Sequence, residues 1–192
     1  MKDIKTFIQE SIDVKNRILQ DENILRNIGQ ATDACLHALK NERRLYFCGN
    51  GGSAADAQHL AAEFTGRFYL DRKALPAEAL HGNSSYLTAV ANDYSFDVIY
   101  SRMVTGICQP GDVLIGLSTS GNSANIVKAF EAAREKQVIT IGFTGEGGGK
   151  MKELSDILLA VPSKTTPRIQ ESHIMIGHII CEMVEASYFA NK

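Results

Sequence analysis

From Lys2 to Lys40 the apolar positions Ile4, Phe7, Ile8, Ile12, Ile18, Leu19, Ile24, Ile28, Leu36 and Leu39 recur at steps of three and four residues, with no proline among them. That period predicts two amphipathic helices with a break near Asp21. The pattern then changes. RRLYFCG reads as a short buried strand, followed by a glycine turn and a helix of about four turns. PAEALH is a second candidate strand, SSYLTAVANDYSFDVIYSRMVTGI is mostly helical, and DVLIGLS is a clear third strand ending in STSGNS. A helix follows from about Ser123 to Lys136. VITIGF and DILLAV supply a fourth and a fifth strand on either side of GEGGGK, which reads as a flexible turn. Pro162 and Pro167 bracket the loop before a final helix. Strands alternating with helices at this spacing predict an α/β fold with a doubly wound, five-stranded parallel sheet.

Length and charge narrow the class. At 192 residues with 44% hydrophobic content, the chain suits one domain. We expect N-terminal helices within 1–41, an α/β core over 42–162 and a C-terminal helix over 167–190. Lys+Arg 20 against Asp+Glu 22 gives a net charge of -2, with no basic run that would mark a nucleic-acid or membrane partner. The N-terminus mixes acids and bases, and no later stretch reaches the roughly 18 apolar residues of a membrane span, so a cytoplasmic protein is expected. Cys35, Cys48, Cys108 and Cys181 form no CxxC pair and sit in apolar runs, which predicts buried reduced thiols.

In such sheets, ligands bind beyond the carboxyl ends of the strands, where both polar turns fall. GNGGSA mimics the dinucleotide fingerprint through Gly49, Gly51 and Ala54, but the second strand closes on His81-Gly82 where that fingerprint wants an acid, and the Lys-Ser/Thr of a nucleotide P-loop is missing. A backbone cradle remains at Asn50, Gly51, Gly52 and Ser53, able to hold hydroxyls or an anion at a helix end. STSGNS offers Ser118, Thr119, Ser120 and Ser123 directly before a helix, which suits a phosphate monoester; a plain serine N-cap is the simpler alternative. His59 and Glu63, four residues apart, share one helical face, as many surface pairs do. Gln170, Glu171, His173 and His178 interrupt an otherwise apolar final helix, and His178 by itself also reads as a satisfied core histidine.

Taken together, CGNGGSAADAQH with a glutamate four residues on, Asn92-Asp93, LSTSGNSANIVKA and RIQESHIMIGH resemble the phosphoheptose isomerase family of sugar isomerase (SIS) domain proteins, in the same order and over nearly the whole chain. The resemblance implies a homotetramer with sites between subunits. The implied reaction is the conversion of sedoheptulose 7-phosphate to D-glycero-D-manno-heptose 7-phosphate, on the way to bacterial surface polysaccharide such as the lipopolysaccharide core. It places zinc ligands, one ion per subunit, at His59, Glu63, Gln170 and His178. Substrate contacts fall at Asn50, Gly51, Gly52, Glu63, Asn92, Asp93, Ser118, Thr119, Ser120, Ser123 and Gln170, with Ser53 joining the phosphate contacts. Glu63 becomes the carbon proton shuttle and His178 its partner at the sugar oxygens. Two departures touch the sugar's distal hydroxyls: HGNSS at 81–85 replaces a Thr/Asp-containing loop, and Pro167 stands where some members carry an acid. The rivals are a non-catalytic relative that binds a sugar phosphate or a replication initiator, and an isomerase of another phosphosugar.

Helix geometry constrains this ligand set. On one continuous helix Gln170 and His178 lie about 12 Å apart along the axis and roughly 80° apart around it. Either the last helix begins after Gln170, or the two residues reach one ion from different subunits.

Overall fold

The computed structural model describes residues 3–190; Lys2, where the helical pattern starts, lies outside them. The chain opens with α1 (Ile4–Leu19) and α2 (Glu22–Lys40). Asp21, at the expected break, caps α2 by accepting from the amides of Asn23 and Ile24 at 2.9 and 3.2 Å.

Then come β1 (Leu45–Gly49), α3 (Gly52–Thr65), β2 (Ala77–Ala79), α4 (Ser84–Asp93), α5 (Ile99–Ile107), β3 (Val113–Ser118), α6 (Ala124–Glu135), β4 (Ile139–Thr144), β5 (Ile157–Ala160) and α7 (Thr166–Phe189). The five strands are all parallel, in the order β2-β1-β3-β4-β5. The chain leaves β1 for β2 on one side and returns on the other for β3, so the crevice opens between the ends of β1 and β3. Every residue of these two strands is buried, because helices cover both faces, and this is why they read as unbroken apolar runs. Leu45 and Phe47 face the core beneath α2, α3 and α7, whereas Tyr46 and Cys48 face the one beneath α4, α5 and α6. All four cysteines are buried and free.

Two elements differ from expectation, and a third decides between the alternatives left open for the last helix. PAEALH pairs over only three residues, at the sheet edge. Within GEGGGK, the flexible reading fails from Gly149 onward, where a short 3₁₀ helix runs to Leu154. Its Met151 is fully buried, and the amides of Met151 and Lys150 donate to Gly121 O and Asn122 Oδ1, both at 3.0 Å. That segment is ordered by a partner loop some thirty residues away, which no local pattern reveals. Finally, α7 starts at Thr166, with Pro167 in its first turn, and continues unbroken for 24 residues. Gln170 is therefore inside the helix, so a start after it is ruled out.

Helices α3 and α7 lie side by side and run the same way. A Cβ on Gly52 would stand 2.7 Å from Gln170 Nε2, and one on Gly177 would stand 2.5 Å from Leu60 Cδ1, so these glycines allow the backbones to approach. Beyond the end of α3 a buried ion pair ties the two together. Glu185 of α7 accepts from the amides of Phe68, Tyr69 and Leu70 at 3.0, 2.7 and 2.9 Å and from Arg72 Nε at 2.8 Å. Arg72 in turn donates to the carbonyls of Glu63 and Phe64 at 2.8 and 2.6 Å, which satisfies the last turn of α3. Burial by itself pushes the Glu185 carboxyl up, but the three amides and the guanidinium together hold it down at about 2. Farther up α7, His173 is fully buried, and its Nε2–H donates to Thr144 O at 3.1 Å while Nδ1 has no partner. Burial holds this imidazole down at about 4, against a weaker opposing pull from the Thr144 carbonyl.

Two stability measurements check this framework. Glu185→Gln leaves the Arg72 guanidinium buried without its counter-charge and lowers the unfolding free energy in urea by about 3–5 kcal/mol. His173, neutral when folded and with an ordinary value of 6.5, contributes stability that is complete above pH 6.5 and lost as the pH falls toward 4. The loss amounts to about 3 kcal/mol, and a His173→Gln variant lacks that part of the pH dependence.

Candidate active site

The crevice is walled by two helix N-termini. At the β1 turn the N-cap of α3 is Gly51, which has no side chain to cap the helix; the amides of Ser53 and Ala54 donate to Asn50 O and Gly51 O, both at 3.0 Å, which leaves the Gly52 amide to a ligand. At the β3 turn Ser123 occupies the N-cap of α6, yet its hydroxyl does not cap the helix. It pairs instead with the Ser118 hydroxyl at 2.9 Å, which disfavours the plain N-cap reading and leaves the first amides of α6 uncapped. Ser120 Oγ accepts from the Asn122 amide at 3.1 Å, and the Thr119 carbonyl accepts from the Gly145 amide at 3.0 Å, so the loop is held in shape by its neighbours.

Asn50 and Asn125 lock the two turns together. Each carboxamide donates to the other at 2.9 Å, and Asn125 is buried. Asn125 escaped the sequence reading, and the available signal was a carboxamide two positions after Ser123 on a helix face that is otherwise apolar. Gln170 reaches the same place from α7, with its carboxamide over Gly52. The other predicted contacts are dispersed. Asn92 donates to Asp93 at 2.9 Å at the exposed end of α4, and neither hydrogen-bonds to another predicted site residue. His81, in the divergent loop, packs its ring edge-on to Tyr100, whose hydroxyl donates to Gly49 O at 2.5 Å. Burial pushes the His81 imidazole down, against a weaker opposing pull from the Ala54 backbone.

Two turns along the α3–α7 contact, the acid-base candidates meet. His59 Nε2 lies 2.9 Å from His178 Nε2 and 3.2 Å from Glu63 Oε1. The imidazoles stand edge to face, with centroids 5.1 Å apart, and Phe68 packs beside His178 at 5.8 Å. Helical spacing aligns His59 with Glu63, and the crossing at Gly177 delivers His178. The three ligand atoms lie within 4.8 Å of one another. Zinc bound tetrahedrally through nitrogen and oxygen needs donors roughly 3.3 Å apart, so these residues fit such an ion in both chemistry and spacing. Gln170 of the same chain does not join them. Its carboxamide sits over Gly52, about 10 Å back along α3 from His59, because an unbroken helix separates it from His178.

The sequence model of the SIS domain matches residues 6–145. The phosphoheptose isomerase of Aneurinibacillus thermoaerophilus is 53% identical over 189 residues, covering 98% of this chain and 96% of that one. The phosphoheptose isomerase of Clostridium acetobutylicum is 51% identical with the same coverage of both chains. Among solved structures, phosphoheptose isomerase from Neisseria gonorrhoeae superposes with a TM-score of 0.90 at 42% identity, over 95% of this chain and 97% of that one. Matches of this extent, on a chain whose own α3 and α7 bring His59, Glu63 and His178 to one point, settle its kinship: it belongs to the SIS domain family and, within that, to the phosphoheptose isomerases.

Proposed function

We propose that this protein interconverts sedoheptulose 7-phosphate and D-glycero-D-manno-heptose 7-phosphate, supplying heptose for bacterial surface polysaccharide. The observation that carries this reading is the convergence of His59, Glu63 and His178 at one point between α3 and α7, in a chain whose β3 turn also carries paired serine hydroxyls before a helix N-terminus. Ser118, Thr119, Ser120 and Ser123, with the first amides of α6 and Ser53, hold the phosphate. The Asn50–Gly52 turn and Gln170 hold sugar hydroxyls, joined by Asn92 and Asp93.

Moving the carbonyl from C2 to C1 needs one base and one acid. Glu63 Oε1 is turned to His59, so Oε2 takes a proton from C1 of the ketose. The C2 oxygen gains a proton from His178, and the product of this half is an enediol. Return of the O1 proton to His178 and of the carbon-bound proton from Glu63 to C2 yields the aldose, with no net change in protons or electrons. His178 Nε2 faces the cluster, which leaves the Nδ1 edge for the sugar oxygens. His59, Glu63 and His178 are the residues that would hold zinc, which when bound polarises the carbonyl and stabilises the developing enediolate.

Gln170 is the fourth ligand only if it comes from another subunit. Ile4, Phe7, Ile8 and Ile12 form a stripe on α1 that is between 44% and 78% exposed, and on α7 Ile179, beside His178 in the chain, and Met183 are exposed as well. Such surfaces are the seams expected of a homotetramer whose sites lie between subunits. Among the described residues no helix is long and apolar enough to cross a membrane, and the four buried free thiols suit a reducing cytoplasm. A non-catalytic sugar-phosphate or replication-initiator binder is the weaker reading, because such a protein has no need to bring a carboxylate and an imidazole together.

A coupled assay of heptose 7-phosphate formation, run before and after chelation, tests the activity and its dependence on metal. Glu63→Gln retains the fold and loses turnover by on the order of 10² or more; unchanged turnover removes Glu63 from the mechanism. Phe7→Asp combined with Ile8→Asp yields monomers with weakened zinc affinity. A monomer that binds zinc as tightly as the wild type rules out a ligand shared between subunits.

A further inference from the structure

The cluster at the α3–α7 crossing leaves one donor and one acceptor without partners. His59 directs Nε2 at His178 and Glu63, and its Nδ1 has no hydrogen-bond partner among the described residues. An imidazole that binds an ion through Nε2 carries its proton on Nδ1, and such an N–H regularly donates to a carboxylate, carbonyl or water, which sets the tautomer and the ring plane. One turn earlier on the same helix stands Asp56. The steps from Asp56 to His59 and from His59 to Glu63 are three and four residues, so all three side chains share one face of α3.

Asp56 is half-buried, and its Oδ2 is shielded from water without any hydrogen-bond partner. A shielded carboxylate oxygen left unsatisfied is unfavourable. Burial pushes the Asp56 carboxyl up, and the charges that oppose this are those of His59, the larger influence, and His178. The carboxylate therefore lies within electrostatic reach of both imidazoles while touching neither. His59 is half-exposed, so its ring has room to turn toward Asp56.

We propose that Asp56 is a positioning residue for His59, its buried oxygen accepting the Nδ1–H of that ring when Nε2 holds a divalent ion. The proposal rests on reading His59, Glu63 and His178 as a metal site. It gives α3 an ordered series of functions: Asp56 orients, His59 ligates, and Glu63 both ligates and exchanges the proton. It also accounts for a carboxylate placed where the metal-free fold does not satisfy it.

Zinc affinity, measured by competition with a chromophoric chelator, is the direct test and needs no turnover. Asp56→Asn is expected to weaken zinc binding about 10–100-fold, as loss of a carboxylate behind a ligating histidine does elsewhere. The melting temperature of the metal-free protein stays the same or rises, because the substitution removes an unsatisfied buried charge. Asp56→Glu recovers part of the affinity, and in a His59→Ala background Asp56→Asn has no further effect. Should Asp56→Asn melt early, Asp56→Ser is read in the same way. Wild-type affinity in a folded Asp56 variant, or an equal loss in the His59→Ala background, overturns the role of Asp56 and leaves the metal site standing. A wild-type protein that takes up no zinc overturns both.

Discussion

Helices α3 and α7 are separated by about a hundred residues of chain, yet the meeting of His59, Glu63 and His178 depends on their lying parallel and close. Two glycines make that possible, since a methyl group at Gly52 would strike the Gln170 carboxamide and one at Gly177 would strike Leu60. Close approach sets the depth at which His178 meets His59 and Glu63. The Arg72–Glu185 pair then prevents the helices from sliding: its guanidinium holds the carbonyl of Glu63 itself, and its carboxylate belongs to the helix that bears His178. A buried pair of this kind is a poor source of net stability but a strict constraint on geometry, because either partner left alone is costly. The site is held in register by electrostatics at one end of the contact and by steric fit along its length.

The sheet contributes a different constraint. Its strand order puts the ends of β1 and β3 beside each other, so two helix N-termini open onto one crevice. Neither is capped by a side chain: one begins at a glycine, and the other has its serine turned to a second serine. Helix ends without a side-chain cap are suited to an anion and to hydroxyls. The reciprocal amide bonds between Asn50 and Asn125 tie the two turns together at a fixed distance.

Much of this was legible in the order of residues. The helices, the five strands, the glycine and serine turns and the His59–Glu63 pair follow from periodicity, turn chemistry and spacing, which are local properties of the chain. The family resemblance added His178 and Gln170 as partners, though not where each would stand. Other features were beyond local reading. The GEGGGK segment is ordered by the loop after β3, Asn125 gains meaning only from Asn50, and Glu185 looks like a stray acid in an apolar helix until Arg72 is beside it.

What the sequence determined alone is what short-range forces decide: which stretches are helix or strand, the parallel α/β class, and which side chains are chemically able to bind phosphate, carry protons or ligate a metal. What only the tertiary structure decided is which of those side chains meet. His178 joins His59 and Glu63 while Gln170 of the same chain cannot, because α7 is one rigid rod whose rise of about 12 Å between those two residues exceeds what their side chains span together at a single ion. That outcome depends on the relative placement of two helices, and the packing that places them is a sum over contacts distant in the chain, which no local pattern encodes.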